Sequence, residues 1–131
     1  MGKIEILGDQ LEEYFAALAS AEKQRAPFRR QFRALRGDFC RSLATRYSKR
    51  TVRKHRQILE LFLDFICDET RVNNLEQVTK GMVNSGFRRW YHSKVWDSTT
   101  DSELHATLRK FFQFLERKKG IHNPRALEAL Q

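Results

Sequence analysis

The chain has 131 residues, 40% of them hydrophobic and 31% charged, with ten Phe but only two Pro and six Gly, and its formal net charge is +9. A chain of that length buries roughly two thirds of its unfolded surface in one core, so one domain with an appendage is expected, and the composition excludes a disordered or all-β protein. No apolar run approaches the roughly 18 residues of a membrane span, and the N-terminus has no basic region leading into an apolar core and cleavage site, so a soluble, cytoplasmic protein is expected, without membrane partners.

In chain order, the first predicted helix runs from about Asp9 to Gln24, with Asp9 as its cap and Leu11, Phe15 and Leu18 on one stripe. A second begins at Pro27, whose missing N–H costs nothing in a first turn. It carries Phe28, Phe32, Leu35, Phe39 and Leu43 at helical spacing, with Arg29, Arg30, Arg33, Arg36 and Arg41 on its other faces. Gly37 weakens this helix by about 1 kcal/mol relative to Ala and marks a place for a kink. The third opens at Ser48 as N-cap and reaches about Glu69, with Val52, His55, Leu59, Phe62 and Ile66 along its inner stripe. Its first two turns are cationic and its last is acidic, the reverse of what the helix dipole favours, at a few tenths of a kcal/mol per charge. An external anion such as a phosphate backbone would compensate the basic end.

A polar connection containing Leu75 follows. Thr79 then caps a fourth helix whose apolar face is Val83, Phe87, Trp90 and Tyr91, and in which Gly81 and Gly86 read as points of close helix packing. Ser98, Thr99 and Thr100 offer caps for a fifth helix, with Asp101 and Glu103 in its first turn. Leu104, Leu108, Phe111, Phe112 and Leu115 point inward, and Lys118, Lys119 and Gly120 close it.

The positive charge is concentrated in one segment. Residues 1–22 carry one Lys against Glu5, Asp9, Glu12, Glu13 and Glu22, giving −4; residues 23–56 carry 13 Lys and Arg against Asp38, giving +12; residues 57–131 carry 11 against 10, giving +1. Such a block predicts a polyanionic partner. Cys40 and Cys67 have no CxxC companion, and His55, His92, His105 and His122 are scattered, so neither a metal nor a disulfide framework is expected. No phosphate-cradling Gly loop and no set of nucleophile, base and orienting group recurs. No cofactor is therefore expected, and the chain does not read as an enzyme by itself.

Three stretches, taken in order, resemble the core-binding domain of tyrosine recombinases, the SAM-like N-terminal half of phage integrases. Thr51, His55, Leu59, Phe62, Phe65 and Ile66 follow that family's first helix, with His55 where the family usually has Tyr. "LEQVTKGMVNSGFRRWY" is similar to its second segment, in which a hydrophobic residue and a Thr precede the next helix. "STTDSELHATLRKFFQFLERKKGIHNP" is similar to its last helix and Asn-Pro exit. The resemblance implies an all-α fold, with a SAM-like four-helix core-binding bundle over residues 48–125. An N-terminal helical pair in residues 1–47, unmatched in the family, precedes it, and residues 126–131 begin a linker or tail.

In the family, the catalytic half follows the Asn-Pro and supplies an Arg, a Lys, a His-x-x-Arg and a Tyr nucleophile. Here "RALEALQ" follows, and Tyr14, Tyr47 and Tyr91 all precede that point, so none carries over as the nucleophile. The implied function is a grip on DNA for site-specific recombination or DNA integration, without the chemistry, in a cytoplasmic protein of bacterial, archaeal or phage origin. The implied partners are double-stranded DNA and other recombinase protomers on it. The alternative is a helical protein-interaction module with no DNA affinity, using Phe28, Phe32 and Phe39 as its interface stripe.

For the DNA-binding reading, Lys49, Arg50, Arg53, Lys54 and Arg56 place five cations within eight positions, and Arg50, Arg53, Lys54 and Gln57 share a face turned from Leu59 and Phe62. Arg109 and Lys110 stand at the family's basic pair on the last helix, with Lys110, Gln113 and Arg117 recurring at i, i+3 and i+7. Thr79, with Lys80 beside it, and Thr99 and Thr100 put hydroxyls at helix starts, where free N–H groups suit phosphate oxygens. Gln57 and Gln113 are the candidates for base contacts. Arg88 and Arg89 read as solvated charge.

Overall fold

The computed structural model describes residues 2–131, with side chains from residue 10 onward. Five α-helices make up the fold, with no strand among the described residues: α1 (Gly2–Leu43), α2 (Lys49–Glu69), α3 (Phe87–Lys94), α4 (Asp101–Lys119) and α5 (Pro124–Ala129). A 3-10 turn at Leu75–Gln77 follows α2, and a π-helical turn at Met82–Gly86 leads directly into α3. The all-α architecture expected from the periodicity is the one that forms. None of these helices is long and apolar enough to cross a membrane.

The inward stripes meet in an aromatic core. Phe32 of α1 lies 5.3 Å, centroid to centroid, from Phe111 of α4 and 6.3 Å from Phe62 of α2, while Phe62 lies 5.1 Å edge-on from Phe87 of α3. Phe28, Phe32, Phe39, Phe62, Phe65, Phe87, Phe111 and Phe112 are all buried, each stabilising the fold by roughly 1.5–3 kcal/mol relative to exposure.

Caps fix where the helices begin and stop. Ser48 Oγ accepts from the Thr51 amide at 3.2 Å, Thr79 Oγ1 from Met82 at 3.3 Å and Thr100 Oγ1 from Glu103 at 3.2 Å. Gly120 ends α4 at φ 64°, a left-handed conformation that side chains with a Cβ rarely adopt. A Cβ on Gly86 would stand 2.9 Å from the Gly81 carbonyl oxygen and 3.3 Å from Phe65, so a side chain there would clash with the backbone that opens the π-turn and crowd its packing on α2. Gly81 itself meets nothing closer than 4.0 Å, and the close packing expected of both glycines belongs to Gly86 alone.

The structure departs from expectation at both ends. The helical pair predicted for residues 1–47 is one continuous helix that passes through Pro27 and Gly37 without ending. The helix is held on both sides of the proline: Arg25 donates to the carbonyls of Thr70 and Val72, and Phe28 is already in the core. Asp9, predicted as a cap, lies within the helix and its side chain lies outside the described ones. The boundary expected at residues 47 and 48 does not separate two cores, because Phe28, Phe32, Leu35, Phe39 and Leu43 belong to the same buried cluster as α2 and α4.

Residues 126–131, expected to lead away as a linker or tail, instead fold back. Asn123 Oδ1 caps α5 through the Ala126 amide at 3.1 Å, and its Nδ2 donates to the Leu75 and Val78 carbonyls at 2.9 and 2.8 Å. Ala126, Leu127 and Leu130 are buried.

Candidate nucleic-acid interface

The cationic block of residues 23–56 divides by what each side chain meets. Arg29 lies 3.4 Å from Asp64 and 4.0 Å from Asp68, Arg33 lies 2.9 Å from Glu60, Arg36 also pairs with Glu60, and Arg41 pairs with Asp38. Since α1 and α2 run antiparallel, Arg29, Arg33 and Arg36 ascend one helix while Asp68, Asp64 and Glu60 descend the other. Burial pushes the Glu60 carboxyl up, but Arg33 and Arg36 together outweigh it and hold the group below its ordinary pKa. For Asp64 burial prevails over the bond from Arg29 and the pKa rises. This ladder compensates the acidic end of α2. At its basic N-terminal end, among the described residues, only Lys54 approaches a carboxylate, that of Glu103 at 4.0 Å.

Among the described residues, none of Arg46, Lys49, Arg50, Arg53, Arg56, Arg109, Lys110, Arg117 and Lys118 has a carboxylate oxygen within 4.0 Å. Most of these line two neighbouring clefts. Arg46, Arg109, Lys110, Arg117 and Lys118 surround the first, of about 290 Å³, together with Tyr47 and Gln113 and an apolar floor of Phe39, Leu43 and Phe114. Lys49, Arg53 and Arg56 border the second, of about 360 Å³, with Cys40, Ala44, Tyr47 and Val52. Tyr47 belongs to both, and the Lys110 ammonium sits 4.6 Å from its ring centroid in a cation–π contact. The end of α1, the start of α2 and the second half of α4 thus present one cationic face.

The residues singled out from sequence separate accordingly. Lys49, Arg53, Arg109, Lys110, Gln113 and Arg117 come together on this face. Arg50 and Gln57 are exposed on α2 but line neither cleft. Lys54 turns away, bonding to Thr99 Oγ1 and approaching Glu103 at 4.0 Å.

Thr99, expected to offer its hydroxyl to a phosphate, is only 4% exposed. Its Oγ1 also lies 3.1 Å from the buried Tyr91 hydroxyl, which in turn contacts Asp97 at 2.8 Å, so internal partners occupy it. Thr100 is the exposed residue of the pair and caps α4. Thr79 and Lys80 line a separate cleft with Asn123 and Arg125, where Lys80 pairs with Glu128 at 3.3 Å. Arg88 bonds the Asn84 carbonyl at 3.1 Å and approaches Asp101 at 3.9 Å, so it is held locally, not simply solvated.

Sequence reasoning missed Arg46, Tyr47 and Lys118 as members of this face. The run "RYSKR", in which cations continue across the Ser48 cap, was the available signal. Behind the face, His55 is 8% exposed, with Nδ1 2.6 Å from Thr107 Oγ1 and Nε2 without a hydrogen-bond partner. Burial, and secondarily the charge of Lys110, lowers its pKa, so the ring is a neutral packing element between α2 and α4.

A family model described as phage integrase, N-terminal SAM-like domain, matches residues 38–119. That span runs from the last turns of α1 to the end of α4 and contains both cationic clefts. Neither a curated protein nor a solved structure matches the chain.

Proposed function

The chain belongs to the family of phage integrase N-terminal SAM-like domains, and from that premise we propose that it grips duplex DNA through the cationic face around Tyr47. The observation that carries this reading is the contrast within one charge block. The arginines of α1 that face α2 are neutralised by Glu60, Asp64 and Asp68, whereas Arg46, Lys49, Arg53, Arg56, Arg109, Lys110, Arg117 and Lys118 meet no carboxylate among the described residues. Unneutralised cations from α2, α4 and the turn between α1 and α2 cost self-repulsion in the free protein, which a polyanion relieves.

Each phosphate that such a face neutralises releases condensed counterions, so five to eight contacts correspond to a log–log salt slope of about −4 to −7. Lys49 and Arg53 sit in the first turns of α2, where the helix dipole adds to their attraction for a phosphate. Gln113 lies among the cations of the first cleft, and its amide can read a base edge with both a donor and an acceptor. These residues bind and orient DNA for site-specific recombination or integration, alongside other protomers on the same duplex. No chemical step is assigned to them.

Fluorescence anisotropy of a labelled random duplex of about 30 base pairs, titrated at several salt concentrations, tests the proposal. Micromolar affinity with a steep negative salt slope is expected. Absence of binding at about 50 mM salt would overturn it.

A further inference from the structure

Residues 10–24 of α1 are exposed and continue beyond Arg25, whose bonds to the Thr70 and Val72 carbonyls mark the end of the bundle. On this arm Leu11, Tyr14, Phe15 and Leu18 are 52, 59, 62 and 44% exposed and share one side of the helix. Glu22 continues that stripe one turn beyond Leu18, and Glu12 flanks it. Four large apolar side chains left open to water at helical spacing call for a covering surface. The acidic border says what kind.

The other end of the same helix carries the complement. The cleft of about 360 Å³ has Cys40, Ala44 and Val52 within it and the cations Lys49, Arg53 and Arg56 on its border. Phe15 is on α1 and Ala44 directly follows its end, roughly 43 Å away at 1.5 Å per helical residue, so no arm reaches the cleft of its own chain. Two arms packed on each other would bring their acidic borders together.

We propose that the arm of one copy docks in the α1–α2 cleft of a second copy, with Phe15 and Leu18 in the cleft and Glu12 and Glu22 against Arg53 and Arg56. The contact is head-to-tail, since the two surfaces are different, and it propagates into a ring or a chain of copies. It does not depend on whether DNA uses the same cations.

Sedimentation equilibrium of the full chain without DNA tests this. Average mass rises with concentration up to about 0.5 mM at low salt and falls back as salt is added. Phe15→Ser with Leu18→Ser, and separately Arg53→Glu with Arg56→Glu, weaken association at least about tenfold with the helical circular dichroism unchanged. Adding Glu12→Arg and Glu22→Arg to the Arg53→Glu, Arg56→Glu chain restores it. A parent chain that stays monomeric, association that survives the Arg53 and Arg56 reversal, or a charge-swapped chain that remains monomeric would each overturn the proposal.

Discussion

Asn123 makes three hydrogen bonds from one buried side chain, to two carbonyls of the segment before the π-turn and to the first turn of α5. Asn123→Ala removes both donors and leaves the Leu75 and Val78 carbonyls without them. The expected loss of stability is about 2–4 kcal/mol, measured by urea unfolding; an Asn in a mobile exit segment would show almost none. His55 makes a second prediction at this scale. Its pKa lies below the ordinary 6.5 because of burial and Lys110, so the unfolded chain takes up a proton first as the pH falls. Stability from this site is complete above pH 6.5 and declines from there down to the folded pKa. His55→Gln, which keeps a partner for Thr107, should flatten the decline that sets in below about pH 6.5. Such details were only half legible in the sequence. The spacing put His55 on an inner stripe and Thr99 at a helix start, but the partners that decide their state are Thr107, 52 residues away, and Lys54, 45 residues away.

Amphipathic spacing gave α2 and α4 with their caps, because each carries several turns of inward residues and a Ser or Thr at its start, whereas the single helix expected after Thr79 forms as the π-helical turn Met82–Gly86 running into the short α3. Spacing also divided α1 at Pro27, a residue that reads locally as a helix start. Continuity there is decided by Arg25 and by Phe28 packing on distant segments. It missed α5, whose 6 residues are too few to display a period. The pairing of Arg29 and Arg33 with Asp64, Asp68 and Glu60 was hidden for another reason: the charges are separated by 27 residues or more and meet only when α1 and α2 run antiparallel. These pairs are partly exposed, so Arg29→Ala with Arg33→Ala should lower stability by only about 1 kcal/mol. The loss should shrink at high salt, as read by thermal unfolding with and without added sodium chloride.

At the scale of the whole molecule, the net charge of +9 is a poor guide until it is divided by partner. One set of arginines fastens α1 to α2, and another set of cations gathers around Tyr47 from parts of the chain that are distant in sequence. The sequence located the excess charge and the resemblance to the integrase domain, and the family match bears the resemblance out. It could not divide the charge, because that division is made by the packing of α1, α2 and α4. The most direct measurement is therefore duplex affinity against salt for two double variants from the same block, Arg53→Ala with Arg56→Ala and Arg29→Ala with Arg33→Ala. The first pair should weaken binding to every duplex and make the salt slope shallower by about 2, while the second pair leaves both affinity and slope as in the parent. Equal losses from the two pairs, or a loss confined to Arg29 and Arg33, would contradict the assignment of the Tyr47 face as the DNA grip.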